Sequence, residues 1–152
     1  MPFFSRKSPR ILEYDYTAQN YYFVTLCTKD KKCLFGKPDE LNVFGEIAKE
    51  HILHLPLHYS YVRVDKYVVM PNHIHMILAF DSREKYSLSN VVGLYKSGVT
   101  KQIHQAGTSA AVWQRSFHDH VIRNQQDYEK IWRYIHGNPG KWDEDCYNNE
   151  EV

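Results

Sequence analysis

The 152-residue chain is short of cysteine, of long apolar runs and of any excess of one charge sign. Its three cysteines, Cys27, Cys33 and Cys146, are an odd number without a Cys-x-x-Cys pair. That argues against a disulfide framework and fits a reducing cytoplasm. Cys27 and Cys33 flank a lysine-rich turn with no histidines at zinc spacing, so no structural zinc is expected, and Cys27 reads as a small core residue. No apolar run approaches the ~18–20 residues that cross a bilayer. The start, MPFFSRKSPR, lacks the apolar core of a signal peptide. Internal repeats, low-complexity segments and interdomain linkers are missing as well. With 19 Lys+Arg against 18 Asp+Glu the net charge is +1, and taken alone that balance speaks against a nucleic-acid partner.

Hydrophobic residues at 43% and charged residues at 24% are ordinary for a globular chain. The length fits one domain over residues 1–152, with a basic, aromatic N-terminal arm over about residues 1–20. Charge is also unevenly spread. Residues 143–152 hold five acids and no Lys or Arg, which leaves 19 bases against 13 acids over residues 1–142, an excess of +6. A solvated acidic tail accounts for this without any partner, so charge neither requires nor forbids a polyanion.

Tyr21 to Thr28, rich in β-branched and aromatic residues, predicts a buried strand. Leu41 to Leu57 carries Phe44, Ile47, Ala48 and Ile52 at helical spacing, with Pro56 marking its end. Val62–Met70 and Ile74–Phe80 predict an antiparallel hairpin around Pro71-Asn72. Ser87 or Ser89 can cap a helix to about His104 with Val91, Val92, Tyr95, Val99 and Ile103 as its apolar stripe. A fourth strand is expected around His118–Ile122 and a last helix from Asp127 to about Gly137, stopped by Asn138-Pro139. The order β-α-β-β-α-β-α predicts an α+β fold, a ferredoxin-like antiparallel sheet with helices packed on it.

In Met70-Pro71-Asn72-His73-Ile74-His75, strand alternation puts His73 and His75 on one face and Ile74 on the other. Two imidazoles so placed can bind a divalent cation together. They can equally be hydrogen-bonded or exposed histidines, and a second His-x-His, His118 and His120, shows how weak the bare pattern is.

The segment resembles the HUH motif of single-tyrosine transposases, two histidines around a hydrophobic residue. More closely, the chain is similar to REP-associated tyrosine transposases, the insertion-sequence-200-like branch. The resemblance runs from Arg6 to about Glu144. Its landmarks are Tyr14-Asp15-Tyr16, Tyr22-Phe23-Val24-Thr25, Leu34-Phe35-Gly36, Phe44-Gly45-Glu46-Ile47 and the histidine segment. Tyr95-Lys96-Ser97, Val112-Trp113-Gln114-Arg115, His120-Val121-Ile122-Arg123-Asn124 and Tyr134-Ile135 through Asn138-Pro139 continue them in order.

That resemblance implies single-stranded DNA cleavage and strand transfer by one tyrosine, which stays linked to the 5′ phosphate and releases a 3′-OH. It implies the HUH motif on a central strand, the nucleophile on the last helix, and a divalent metal, Mg²⁺ or Mn²⁺, held by His73 and His75. Composition cannot choose among twelve tyrosines. The family pattern of Tyr, Ile and an amide four residues on matches Tyr134, Ile135 and Asn138, which implies Tyr134 as nucleophile and Asn138 as third ligand. Residues i and i+4 share a helix face, and Lys130 one turn earlier could lower the phenol pKa from about 10. Asn138 is a methylene shorter than the glutamine of some relatives, and Pro139 after it suggests a backbone leaving the helix. Alternatively Tyr134 packs on the sheet beside Trp132 and Ile135; Tyr128 is a second candidate nucleophile.

Basic groups that could meet phosphates are Arg6, Lys7, Arg10, Lys31, Lys32, Lys96, Lys101, Arg115, Arg123 and Lys130. Trp113 could stack on an unpaired base or anchor the core. Single-stranded or hairpin DNA is the expected partner, with no membrane and a homodimer possible. Two other readings stand beside this one: a nucleic-acid-binding module of the same fold without cleavage, and a hydrolase using the histidines alone.

Overall fold

The computed structural model describes residues 19–81 and 87–144. The N-terminal arm with Arg6, Lys7 and Arg10, and the side chains of the acidic tail, lie outside the described residues. In chain order the elements are β1 (Gln19–Cys27), β2 (Gly36–Lys37), β3 (Glu40–Leu41), α1 (Val43–Leu53) and α2 (Leu55–His58). β4 (Val62–Met70), β5 (His73–Asp81), α3 (Leu88–Gln105), β6 (His118–Ile122) and α4 (Gln125–Gly137) follow, with a 3₁₀ turn at Pro139–Glu144. The four long strands form one antiparallel sheet in the order β4-β5-β1-β6, and β2 and β3 make a small separate ribbon. This is the ferredoxin-like α+β topology. Among the described residues no helix is long and apolar enough to cross a membrane.

Strand periodicity sorts the side chains. On β1 and β5, Val24, Leu26, Ile74, Met76, Leu78 and Phe80 pack on one face under α1 and α3, with Val91, Val92, Tyr95, Val99 and Ile103 facing them. Tyr21, Ile77 and Ala79 point the other way and meet Tyr128, Ile131 and Ile135 of α4. β5 is therefore buried on both faces, and its odd-numbered residues, His73 and His75 included, look toward α4. In β4 a bulge at Asp65 breaks the pairing, so that Val64 opposes Leu78 while Lys66 opposes Ile77.

Several boundaries differ from the sequence expectation. The segment 41–57 is not one helix ended by Pro56. It breaks at His54, and Pro56 sits in the first turn of α2, where its missing N–H costs nothing. Of the two candidate serines, Ser87 caps α3, accepting from Asn90 N–H at 3.2 Å. The last helix begins at Gln125, two residues before Asp127, because Asn124 Oδ1 accepts from Asp127 N–H at 2.8 Å. The helix ends at Gly137 as expected, but its C-cap Asn138 keeps helical angles, φ −58° and ψ −46°, instead of turning away. Pro139 shifts its predecessor's preference but is outweighed by the turn that follows, where Lys141 N–H reaches the Asn138 carbonyl at 3.0 Å.

Candidate active site

β5 begins at His73, at the end of the sheet where Cys27 of β1 is its partner, and His75 pairs with Thr25. Both imidazoles are buried, 0% and 1% exposed, with ring centroids 4.6 Å apart. His73 Nδ1 contacts Asn72 Oδ1 at 2.9 Å, and His75 Nδ1 shares a 2.9 Å hydrogen bond with Thr25 Oγ1. Burial, and then the neighbouring His73, hold the His75 pKa well below its ordinary value. It is therefore neutral at pH 7, the form that binds metals. With each Nδ1 engaged, Nε2 is the nitrogen placed for a ligand, and the Nε2 atoms of both rings are buried.

α4 brings the other groups. Ile131, Ile135 and Tyr128 bury its central stripe, and Tyr134 falls on one flank. The Tyr134 ring stands edge-on to His75 with centroids 5.3 Å apart and to Phe23 at 6.3 Å, yet it remains 44% exposed. Exposure on one side and an imidazole on the other is what a nucleophile meeting a bulky substrate requires. One turn on, Asn138 is buried, and its Oδ1 accepts no hydrogen bond among the described residues. Trp142, in the 3₁₀ turn, stacks toward the His73 ring at 6.3 Å.

The alternative packing of Tyr134 beside Trp132 does not occur. At 3.6 residues per turn the two side chains point about 200° apart, and Trp132 lies on the opposite flank, stacked on His136 at 4.9 Å with Lys66 Nζ 4.1 Å from its ring centre. Tyr128, the second candidate nucleophile, is 1% exposed, edge-on to Tyr21, and donates its hydroxyl to Asp65 Oδ2 at 3.0 Å. It belongs to the core. His118 and His120 are exposed on β6, where His120 pairs with Asp127 at 2.7 Å.

His73, His75 and Asn138 offer two imidazole nitrogens and one amide oxygen. Among the described residues no cluster of three or more His, Cys, Asp or Glu could hold a metal, so a third protein donor beside the two imidazoles would have to be of another type, such as the Asn138 amide. That donor set would suit a hard or borderline divalent cation such as Mg²⁺ or Mn²⁺. The buried Asn138 oxygen, lacking a donor among the described residues, fits the same assignment.

Of the basic groups, Lys31 and Lys32 are exposed on the turn against Asn72, and exposed Arg115 follows Gln114, whose N–H bonds the Cys27 carbonyl. All three lie at the His73 end of the sheet. Lys130 is exposed on α4, one turn before Tyr134. Lys101 is exposed on α3, across the sheet from the histidines, and Arg123 follows β6 at the sheet's other end. Lys96 ties two chain segments together by donating to the Gln114 and Ser116 carbonyls at 2.8 and 3.4 Å. Trp113 is a core anchor, packed on Phe35 and Tyr95 with Nε1 donating to the Lys96 carbonyl. Sequence reasoning gave no role to Thr25, Asn72 or Phe23. Asn72 carried a signal, a polar residue in a tight corner beside the histidine pair; Thr25 and Phe23 needed the β1–β5 register.

Comparison with known proteins agrees with this geometry. The family model described as "Transposase IS200 like" matches residues 16–138. An uncharacterized Haemophilus influenzae protein is 31% identical over 164 residues, covering 92% of this chain and 91% of its own. A second protein of that organism, provisionally described as a REP-associated tyrosine transposase, is 25% identical over 84% of this chain and 74% of its own. Among solved structures, a REP-associated tyrosine transposase bound to a REP hairpin superimposes with a TM-score of 0.65 at 22% identity, over 93% of this chain and 74% of that one. A transposase-like protein of Deinococcus radiodurans gives a TM-score of 0.58 at 14% identity, over 82% and 93%.

Proposed function

Because the chain belongs to the IS200-like transposase family, we propose that it cuts and rejoins single-stranded DNA beside a hairpin, with Tyr134 as nucleophile. The observation that carries the reading is the meeting of Tyr134 with His75 inside one chain, at 5.3 Å between ring centres, with Asn138 on the next turn. The Tyr134 phenolic oxygen gives up its proton and attacks the phosphorus. The O–P bond to tyrosine forms as the P–O3′ bond breaks, and the departing 3′ oxygen takes a proton to become a free hydroxyl. The tyrosyl ester conserves the energy of the broken bond, so the reverse attack by a 3′-OH rejoins DNA without an external energy source.

His73, His75 and Asn138 would hold Mg²⁺ or Mn²⁺, which when bound supplies polarisation of the phosphate and offsets its charge. Phe23 and the sheet behind it fix the tyrosine ring against rotation toward the core. Lys31, Lys32, Arg115 and Lys130, all exposed, would meet the backbone of the strand. This reading sets the protein in the cytoplasm, where a reducing environment suits the buried Cys27 and half-buried Cys33.

The test is incubation with labelled hairpins taken from the DNA flanking the gene, plus Mn²⁺, followed by denaturing electrophoresis. A covalent protein–DNA adduct is expected, and Tyr134→Phe should abolish it. Adducts that persist in Tyr134→Phe would sink the assignment. Tight hairpin binding with no adduct in the wild type would favour the non-cleaving DNA-binding module, and a free 5′-phosphate product without adduct the histidine-only hydrolase.

A further inference from the structure

The two histidines are held differently. Thr25 Oγ1 faces His75 Nδ1, and a hydroxyl both donates and accepts, so that contact suits either imidazole tautomer. Asn72 allows no such choice. Its Nδ2 donates to the Lys31 carbonyl at 3.2 Å, and since a carbonyl can only accept, the orientation of the amide is fixed. Its Oδ1 is then the atom 2.9 Å from His73 Nδ1, and an amide oxygen also only accepts. In the neutral form of His73 this places the proton on Nδ1 and the lone pair on Nε2.

The Lys31 carbonyl reaches Asn72 through an unusual backbone. Asp30 and Lys31 are consecutive non-glycine residues in the left-handed region, φ 56° and 55°, each at a cost that outside contacts must offset. Those contacts are present. Thr28 Oγ1 donates to the Lys32 carbonyl at 2.8 Å, and Thr28 N–H donates to the Asn72 carbonyl at 3.0 Å. From the other side Phe35 N–H donates to the Pro71 carbonyl at 3.0 Å. The turn and the Pro71-Asn72 corner are thus stapled to each other, with the Asn72 side chain buried between them.

We propose that Asn72 is a positioning residue for the metal centre: clamped by the Lys31 carbonyl, it locks His73 in the Nδ1–H tautomer and aims the Nε2 lone pair into the site. The proposal rests on His73 and His75 being metal ligands. It gives the pair a division of labour, with His73 preset before a cation arrives and His75 able to settle its tautomer on binding. It also gives the strained turn a purpose apart from any contact its lysines make with DNA.

Long-range ¹H–¹⁵N NMR of the imidazoles in the metal-free wild-type protein reads the tautomer directly. His73 should show a protonated Nδ1 and a lone-pair Nε2; a proton on Nε2 overturns the proposal whatever any variant does. Asn72→Leu should mix the His73 tautomers and weaken Mn²⁺ binding, followed by titration of free Mn²⁺, about 10–100-fold. An unchanged tautomer or unchanged affinity in that variant also overturns it. Thr25→Val should leave the His73 tautomer as in the wild type, and a shifted one would mean that the lock is not Asn72's. If His73 is Nδ1–H but Mn²⁺ broadens neither His73 nor His75, the metal reading beneath the proposal falls, a result distinct from a wrong tautomer.

Discussion

At the residue scale, two tyrosines on one helix meet opposite fates for reasons a few ångströms explain. Tyr128 turns inward, loses its water and gives its hydroxyl to Asp65; Tyr134, six positions on, keeps a wet edge and sets the other against His75. Asn138 shows a third outcome, a buried oxygen with no protein donor among the described residues. Such a group contributes little to the metal-free fold, so Asn138→Ala should leave the thermal midpoint of the metal-free protein within a few degrees of wild type. Mn²⁺ affinity should nonetheless fall by at least about tenfold, since loss of a ligand costs no less than loss of a residue behind one. Asn138→Gln, which keeps the carbonyl but moves it by a methylene, should fall between. A large stability loss with unchanged Mn²⁺ affinity would make Asn138 a packing residue.

At the scale of elements, α4 is docked on β4 through a polar contact. Asp65 sits at the bulge, its side chain 1% exposed, bound by Arg63 Nε at 2.7 Å and by the Tyr128 hydroxyl. Burial raises its carboxyl pKa, against the opposing pull of Arg63 and then Tyr128. Between about pH 4, the ordinary aspartate value, and the raised native value, the folded protein keeps a proton that the unfolded chain has released. Stability therefore falls as pH rises through that interval. Asp65→Asn should lose this slope, so urea melts at successive pH values should show the wild type losing ground to the variant upward from about pH 4. A difference that stays constant with pH would show that Asp65 does not titrate there. The bulge was hidden in the sequence because a buried aspartate in Val62–Met70 looks like one more polar residue in a strand. The bounds of β4 and β6, the stripe of α3 and the shared face of His73 and His75 were legible, being set by local alternation or helical spacing. The break at His54 and the helical Asn138 were not, since both depend on what a proline's neighbours do in three dimensions. Nor was the Thr25–His75 contact, made by residues fifty apart.

At the scale of the whole molecule, Tyr134 meets His75 of its own chain, and the proposal that one chain supplies the whole site has a simple test. Mixing Tyr134→Phe with a His73→Ala/His75→Ala double variant should yield no adduct, whereas recovered adduct would mean that the tyrosine helix serves a partner. The distribution of charge makes a second prediction. Lys31 and Lys32 flank the site end of the sheet, and Arg123 lies at the far end. Each phosphate contact to a single strand contributes about 0.7 to the salt slope, so Lys31→Ala/Lys32→Ala should flatten the log–log slope of DNA affinity by about 1.4. Arg123→Ala should leave it unchanged, and equal effects from both would reduce the basic groups to general charge. The order β4-β5-β1-β6 also sets a timetable. β1 leaves the ribosome first, but it is flanked by β5 and by β6, and β6 pairs Ile122 with Tyr21, about a hundred residues earlier. The histidines are made nearly sixty residues before the tyrosine. Throughout that interval the nascent protein holds the histidine pair without Tyr134, so on the proposed reading a message cut short before α4 yields a product that forms no covalent adduct with DNA.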